Sequence, residues 1–366
     1  MGKGASSMRE SSLCGIALLK KLSLTFGPSG CEERVAEAII ETVSPFADEV
    51  VRDRSGGVIA VLRGTGKAKN IRRVMLSAHM DEVGFMIASV EDDGTLKLAP
   101  LSARDPKILA GQYVTLSDGE RFFDGVVGIK PYHLKKDGAP EYGDLYIDVG
   151  AGSREEAEKI VGKGFFGTFR SDFVRFGGSG RMIKGKALDD RLGCTVLCDT
   201  LREIKESGEP LPFDLFCAFT CREELGISGA ACAAEVVKPD VAIVFEATAV
   251  ADVDGVDPTR RVAEQGSGGT VSYADRGTVY DRKLYSLILD TGKKNGIPCQ
   301  PKKYVSGGND SASIRRSGEG VRVAAISAPS RYIHTASNVV REDDFLSIEK
   351  LAPAVLREIA MKETEL

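Results

Sequence analysis

Three histidines occur in the 366 residues of this chain, and two of them sit where metal chemistry would need them. His79 closes an apolar run in Ser77-Ala78-His79-Met80-Asp81-Glu82, and His334 follows another in Arg331-Tyr332-Ile333-His334-Thr335. Between them lie Asp189-Asp190, Glu223-Glu224 and Glu246, each at the edge of an expected strand or helix. Neutral imidazole nitrogens and carboxylate oxygens suit zinc, cobalt or manganese and need no thiolate. Two imidazoles and several carboxylates at strand ends can hold a pair of divalent cations, an arrangement that activates water for hydrolysis.

Taken singly, each motif has a plainer explanation. His79-x-Asp81 is short and recurs by chance, although Asp81 could receive the second ring N–H of a ligating histidine. Glu223-Glu224 would serve at the positive end of a helix dipole, and alone that explanation has the better odds. Asp189-Asp190 fits a helix cap followed by an acidic first turn. His334 alone reads as a satisfied core histidine. Glu246 ends a strongly apolar strand, where an unpaired carboxylate is costly. One shared site explains the set more simply than five separate coincidences. The glycine-rich pieces Gly266-Ser267-Gly268-Gly269 and Gly307-Gly308-Asn309-Asp310 match no phosphate-binding loop and read as close backbone approaches.

The elements that must position these residues follow from periodicity. Amphipathic helices are expected over Leu13 to Leu24 and through Val35, Ala38, Ile39 and Ile40. Strands are expected over Val58 to Leu62, Arg73 to Ala78, Asp214 to Thr220, Val241 to Phe245 and Val321 to Ile326. Helices from Asp189, through Ala230 to Val236, over Tyr280 to Asn295 and over Asp344 to Met361 alternate with those strands. This pattern predicts an α/β fold with a mostly parallel sheet flanked by helices. Functional residues in such sheets gather beyond the carboxyl ends of the strands. Between Val83 and Gly180 short alternating runs split by Gly and Asp predict a small β-rich insert, with one run taken as continuous from Gly167 to Phe176. The expected division is residues 1–82 with 180–366 as the α/β domain, and 83–179 as the insert. The ends of an insert must meet, which brings His79 toward Asp189. The segment Tyr132 to Tyr142, carrying His133, reads as a loop.

Composition narrows the function classes. A net charge of -4 without long runs of one sign argues against nucleic acid, and no polybasic membrane patch is visible. No apolar stretch is long enough for a transmembrane helix. Met1 to Glu10 lacks the apolar core of a secretory signal. It does fit a myristoylation pattern at Gly2 and Ser6, for which a polar, frayed terminus is the preferred explanation. Eight cysteines without a CxxC pair fit a reduced, cytoplasmic compartment.

Together these segments resemble the M42 metallo-aminopeptidases, the glutamyl/leucyl aminopeptidase and tetrahedral aminopeptidase group, some of whose members carry an endoglucanase label. The matching pieces are Phe26-Gly27-Pro28-Ser29-Gly30, Ala78-His79-Met80-Asp81-Glu82-Val83-Gly84-Phe85, Lys186-Ala187-Leu188-Asp189-Asp190-Arg191, Glu223-Glu224-Leu225-Gly226, Gly307-Gly308-Asn309-Asp310 and Arg331-Tyr332-Ile333-His334. The resemblance implies a dinuclear-zinc peptidase fold and two divalent ions, zinc first, with cobalt or manganese as alternatives. Asp189 would bridge them, His79 and Glu246 would complete one site, and Glu224 and His334 the other. Glu223 would be the general base and Asp81 would orient His79. A cis peptide is implied between Asp189 and Asp190. Glu246 stands where the family often has Asp, Arg222 where Gln is common, and Asn309 where Thr is common. The implied activity is removal of N-terminal residues from short peptides, in a homo-dodecamer built from dimers through the insert. A related dinuclear deacylase or carboxypeptidase, and a non-catalytic binding module, are the competing readings.

Overall fold

Alternation along each strand decides what the strand packs against. In Asp214–Thr220, Leu215, Cys217 and Phe219 face one helical layer, and Phe216 and Ala218 face the other. The computed structural model describes residues 13–102, 105–134, 138–362 and 364. The myristoylation pattern at Gly2 and Ser6 lies outside them, as do residues 135–137 of the His133 loop.

In chain order, helices α1 (Gly15–Leu24) and α2 (Glu33–Val43) precede strands β1 (Glu49–Arg52), β2 (Val58–Leu62) and β3 (Arg73–His79). Strands β4 (Phe85–Val90), β5 (Leu96–Pro100), β6 (Tyr113–Ser117), β7 (Phe122–Gly128), β8 (Tyr146–Asp148) and β9 (Phe166–Phe169) close into a barrel in the order β4-β5-β8-β7-β6-β9, with the short helix α3 (Arg154–Glu158). The chain then re-enters the main body through β10 (Val174–Phe176), β11 (Met182–Gly185) and the long helix α4 (Leu188–Ser207). Next come β12 (Asp214–Thr220), α5 (Gly229–Val237), β13 (Val241–Ala249), β14 (Gly269–Val271), α6 (Arg282–Asn295), β15 (Cys299–Pro301), α7 (Ser311–Ile314), β16 (Arg322–Arg331), β17 (Asn338–Arg341) and α8 (Glu342–Lys362).

The main sheet has eleven strands in the order β1-β2-β12-β3-β13-β16-β17-β11-β10, with β14 pairing β15 and β16. Its centre, β12-β3-β13-β16, is parallel. Its flanks are antiparallel, so the sheet is mixed rather than mostly parallel. The edge strands escaped the sequence reading because they are short, and an antiparallel edge needs no crossover helix to announce it. The run Gly167 to Phe176 also divides. Its first part, β9, closes the barrel, and β10 pairs with β11 in the main sheet. Helices α1, α2, α4, α6 and α8 pack on one sheet face, and α5 and α7 on the other. At the junction of barrel and body, a Cβ on Gly84 would lie 2.6 Å from Pro28 Cβ and 2.7 Å from the Gly167 carbonyl, so only glycine fits there.

Where α1, α4 and α8 meet, two acids face each other. Asp199 Oδ2 accepts from the Gly15 N–H at 2.6 Å, and its carboxyl group also bonds that of Glu349. Such a bond needs one shared proton. Burial and then Asp199 push Glu349 up to about 9 from 4.5. A raised folded value means that this contribution to stability is complete below about pH 4.5 and is lost as pH rises through about 9. Glu349→Gln supplies a permanent N–H donor in place of the proton. The melting-temperature difference, variant minus wild type, should therefore grow from pH 5 to pH 9 by scanning calorimetry. A difference independent of pH would refute the shared proton.

Candidate active site

The parallel centre of the sheet aligns β3 with β13, pairing Ser77 with Val244. Two residues further on, His79 and Glu246 emerge side by side at the carboxyl ends. His79 is buried at 1% exposure. Its backbone N–H donates to Asp190 Oδ2 at 3.3 Å, and its Nδ1 lies 3.1 Å from the Asp81 carbonyl oxygen. With the proton on Nδ1, the Nε2 lone pair is free. That nitrogen lies 3.3 Å from Asp189 Oδ1 and 3.8 Å from Glu246 Oε2. From the opposite side His334 Nε2 lies 3.0 Å from Asp189 Oδ2 and 3.3 Å from Glu224 Oε1. A single carboxylate thus faces both imidazoles, one oxygen to each.

The loops that deliver these groups are bent tightly. Ala187, Arg222 and His334 all have positive φ, at 50°, 55° and 63°. Non-glycine residues seldom adopt this conformation, and it concentrates at functional sites. The peptide between Asp189 and Asp190 is cis. Both acids have non-helical dihedrals, so neither is the acidic first turn of a regular helix. Glu223 and Glu224 are likewise not a helix start, since α5 begins only at Gly229. They ride on a loop so closed that a Cβ on Gly229 would lie 2.1 Å from the Cys221 carbonyl.

That loop is held by acids. Asp81 Oδ1 accepts from the Glu223 N–H at 2.9 Å, and Asp81 Oδ2 from the Glu224 N–H at 3.1 Å and the Ser29 hydroxyl at 2.6 Å. Glu32 accepts from the Arg222 N–H at 3.1 Å and from the Gly30 N–H at 2.8 Å. Three successive amides therefore end on buried carboxylates. Asp81 touches His79 mainly through its carbonyl, while its carboxylate, 3.4 Å from Nδ1, chiefly pins the glutamate loop.

Charge crowding shifts every member of the group. Burial alone would lower His79, but Glu246, Asp189 and Asp81 raise it well above its usual value. Partial removal from water lowers His334, and Asp189 with Glu224 lifts it to about 9. Burial and neighbouring acids push Glu223 and Glu246 well up, and Glu224 to about 7. Asp189 moves the other way: burial raises it, but the two histidines pull it down further.

The donor set fits cations. Asp189 Oδ1 and Glu224 Oε1 are buried and accept no hydrogen bond. Such oxygens are rare in native interiors unless something else satisfies them. Among the described residues, His79 with Asp189 and Glu224, and His79 with Asp190 and Glu246, place potential ligand atoms within 4.8 Å of one another. In the second group Asp190 is the weaker candidate, because its oxygens already accept from the His79 and Gly193 amides. All seven residues singled out from the sequence, His79, Asp81, Asp189, Glu223, Glu224, Glu246 and His334, converge here. His133 does not; it is exposed in a short 3-10 turn, Tyr132–Leu134, of the insert.

A profile of the M42 glutamyl aminopeptidases matches residues 56–351. The chain belongs to the M42 peptidase family. It is an enzyme of the aminopeptidase type. A lysyl aminopeptidase of Pyrococcus furiosus is 31% identical over 93% of this chain and 96% of its own. The TET aminopeptidase of the marine-sediment archaeon Thaumarchaeota archaeon SCGC AB-539-E09 superposes with a TM-score of 0.90 at 31% identity, covering 95% of this chain and 97% of that one. The Pyrococcus horikoshii TET1 peptidase, which can assemble into a tetrahedron or a large octahedral shell, superposes at 0.82 with 29% identity, over 93% and 98% of the two chains.

Several residues of this M42 site escaped the sequence reading. Glu82 accepts from Lys186 Nζ at 2.5 Å, from Thr168 Oγ1 at 3.0 Å and from the Gly27 N–H at 3.2 Å. Arg191, fully buried, donates to the carbonyls of Met80, Leu22, Thr25 and Gly27. Asp310 accepts from Thr220 Oγ1 at 2.5 Å and is pushed up to about 6 by burial. Lys186 flanks Asp189, and the only sequence signal was a cation beside a paired acid. Asp81→Ala would strand the Ser29 hydroxyl and two amides. It should cost about 3 kcal/mol in urea unfolding, as expected for removing one buried, multiply bonded charge. A loss below about 1 kcal/mol would mean that Asp81 does not hold the loop.

Proposed function

We propose that this M42 peptidase removes N-terminal residues from short peptides with two divalent ions, zinc in the first instance. The observation that carries this reading is the Asp189 carboxylate, with His79 on one oxygen and His334 on the other. His79 and Glu246 would hold one ion, Glu224 and His334 the second, and Asp189 both. Bound ions would acidify a water and polarise the scissile carbonyl. Glu223 would accept the proton from the attacking water and pass it to the departing amine. Its burial favours the protonated form, which suits a group that must return the proton. Asp81 and Glu32 would keep Glu223 in reach by fixing its backbone. The free α-amine of the substrate would meet the acidic cluster, which restricts action to chain ends.

The barrel would make dimer contacts, and dimers would build a homo-dodecamer. This is supported by the assembly of the Pyrococcus horikoshii relative and by the exposure of Tyr113, Phe122 and Val126 on the barrel. Short peptides would be the partners, and among the described residues no helix is long and apolar enough to cross a membrane. A cytoplasmic setting is supported by eight cysteines, all unpaired.

Glu223→Gln should bind zinc at the wild-type stoichiometry and lose about 10²- to 10⁴-fold in kcat, the usual worth of a general base. Elemental analysis and turnover of aminoacyl anilides on the same samples check this. Full turnover with zinc bound would remove Glu223 from the role. Light scattering checks the assembly, and a fully active monomer would exclude the closed particle.

A further inference from the structure

The two imidazoles of the site are held in different ways. His79 is 1% exposed, and its Nδ1 meets the Asp81 carbonyl oxygen at 3.1 Å, which fixes the ring. The His334 side chain is 46% exposed, and among the described residues its Nδ1 has no hydrogen-bond partner. A ligating histidine is normally oriented by a bond through its second ring nitrogen. His334 lacks that bond, so its direction must be set by the backbone that carries it.

That backbone is the turn 332–337 between β16 and β17. The two strands pair only through Ser330 with Val340 and Arg331 with Val339. Tyr332 and His334 have positive φ, at 55° and 63°, a conformation that non-glycine residues keep only where their surroundings impose it. Inside the turn, Thr335 Oγ1 donates to the Tyr332 carbonyl at 2.7 Å and accepts from the Ser337 N–H at 3.0 Å. Toward its end, the Ala336 carbonyl accepts from Ser171 Oγ at 2.5 Å. At its start, Arg331 Nε and Nη2 donate to Asp252 Oδ1 and Oδ2, each at 2.7 Å. Such a fork fixes the plane of the guanidinium as well as its position. Asp252 is itself placed by the sheet. β13 ends at Ala249, the Val250 N–H donates to the Ser330 carbonyl at 3.1 Å, and the Val250 carbonyl accepts from the Val262 N–H at 3.0 Å. The strand that presents Glu246 therefore also leads to the acid that anchors the His334 turn.

We infer that Asp252 is a positioning residue: through Arg331 it sets where His334 meets Asp189 and Glu224. The inference rests on the two-ion reading and adds a residue outside the ligand set. Among the described residues Asp252 and Arg331 have only each other as ion-pair partners, and Arg331 is partly exposed. With Asp252 removed, the guanidinium can turn to water. The sheet then keeps its pairing while the turn loses its anchor.

The test titrates metal-stripped wild type and Asp252→Ala, as full chains, with zinc against a competing chelator. Wild type should show two dissociation constants. In Asp252→Ala one of them should rise about 10- to 100-fold, the usual worth of a group that orients a metal ligand, while the other holds. His334→Ala should weaken the same site, which identifies it. Asp252→Asn keeps the shape and one acceptor for Arg331, so it should fall between wild type and the alanine variant. It carries the same readout if the alanine variant does not fold. Unchanged constants, or an equal loss at both sites, overturn the inference. A crystal structure of the metal-free variant decides the matter without zinc. His334 Nε2 drawn away from Asp189 supports the inference, and the pair still within hydrogen-bond distance overturns it. A wild type that takes up fewer than two ions, with His334 displaced in the variant, sinks only the two-ion reading.

Discussion

Asp81, Asp189, Asp190, Glu223, Glu224, Glu246 and Asp310 are drawn into one poorly solvated space with two imidazoles. Like charges at such separations repel by several kcal/mol per pair where water is scarce. The fold relieves part of this through the backbone. Asp81, Asp190 and Glu32 each accept from two or more N–H or O–H groups, so their negative charge is spent on holding loops. Asp189 and Glu224 each keep a buried oxygen that accepts no hydrogen bond. The acids thus divide by what their oxygens touch. One group fixes geometry, and the other is left short of positive charge by the protein itself.

Bringing them together needs chain segments far apart in sequence. The parallel centre of the sheet does most of this, because β3, β12, β13 and β16 all point their carboxyl ends the same way. The barrel interrupts the chain between His79 and Asp189, yet its two ends are stitched to the body at Glu82. That carboxylate binds Lys186 from the returning strand, Thr168 from the barrel and the Gly27 amide from the α1–α2 loop. Arg191 then ties the carbonyls of Leu22, Thr25, Gly27 and Met80 to the first turn of α4. These buried charges are expensive to desolvate but leave the loops one arrangement in which every donor is satisfied.

This division also explains what could be read from the sequence. Apolar runs ending in His79, Glu223-Glu224 and Glu246 were legible because a strand covered on both faces has few polar residues, and a charge at its end stands out. The edge strands were not, since β1, β10 and β17 are short and their pairing is set by neighbours rather than by their own pattern. Glu32, Glu82, Lys186 and Asp310 were not legible either. A lone acid or lysine in a polar stretch looks solvated until tertiary contacts bury it. For Asp189-Asp190 and Glu223-Glu224 the helix-cap explanation lost for a local reason. The former pair has non-helical dihedrals, and the latter precedes α5 by a closed loop.

The criterion that sorts the acids applies equally to the cations. Lys186 and Lys302 are both buried, and burial lowers both. Lys186 has Glu82 at 2.5 Å, one residue from each of the two motifs that bracket the insert, and that pairing accounts for its presence. Lys302 has the Ser306 carbonyl at 2.8 Å and, among the described residues, no ion pair. If its role were to steady the fold, a methionine would do so at lower cost, since it fills similar space without a charge to desolvate. Lys302 therefore carries a desolvation cost that one carbonyl does not offset, whereas Lys186 recovers its own through Glu82.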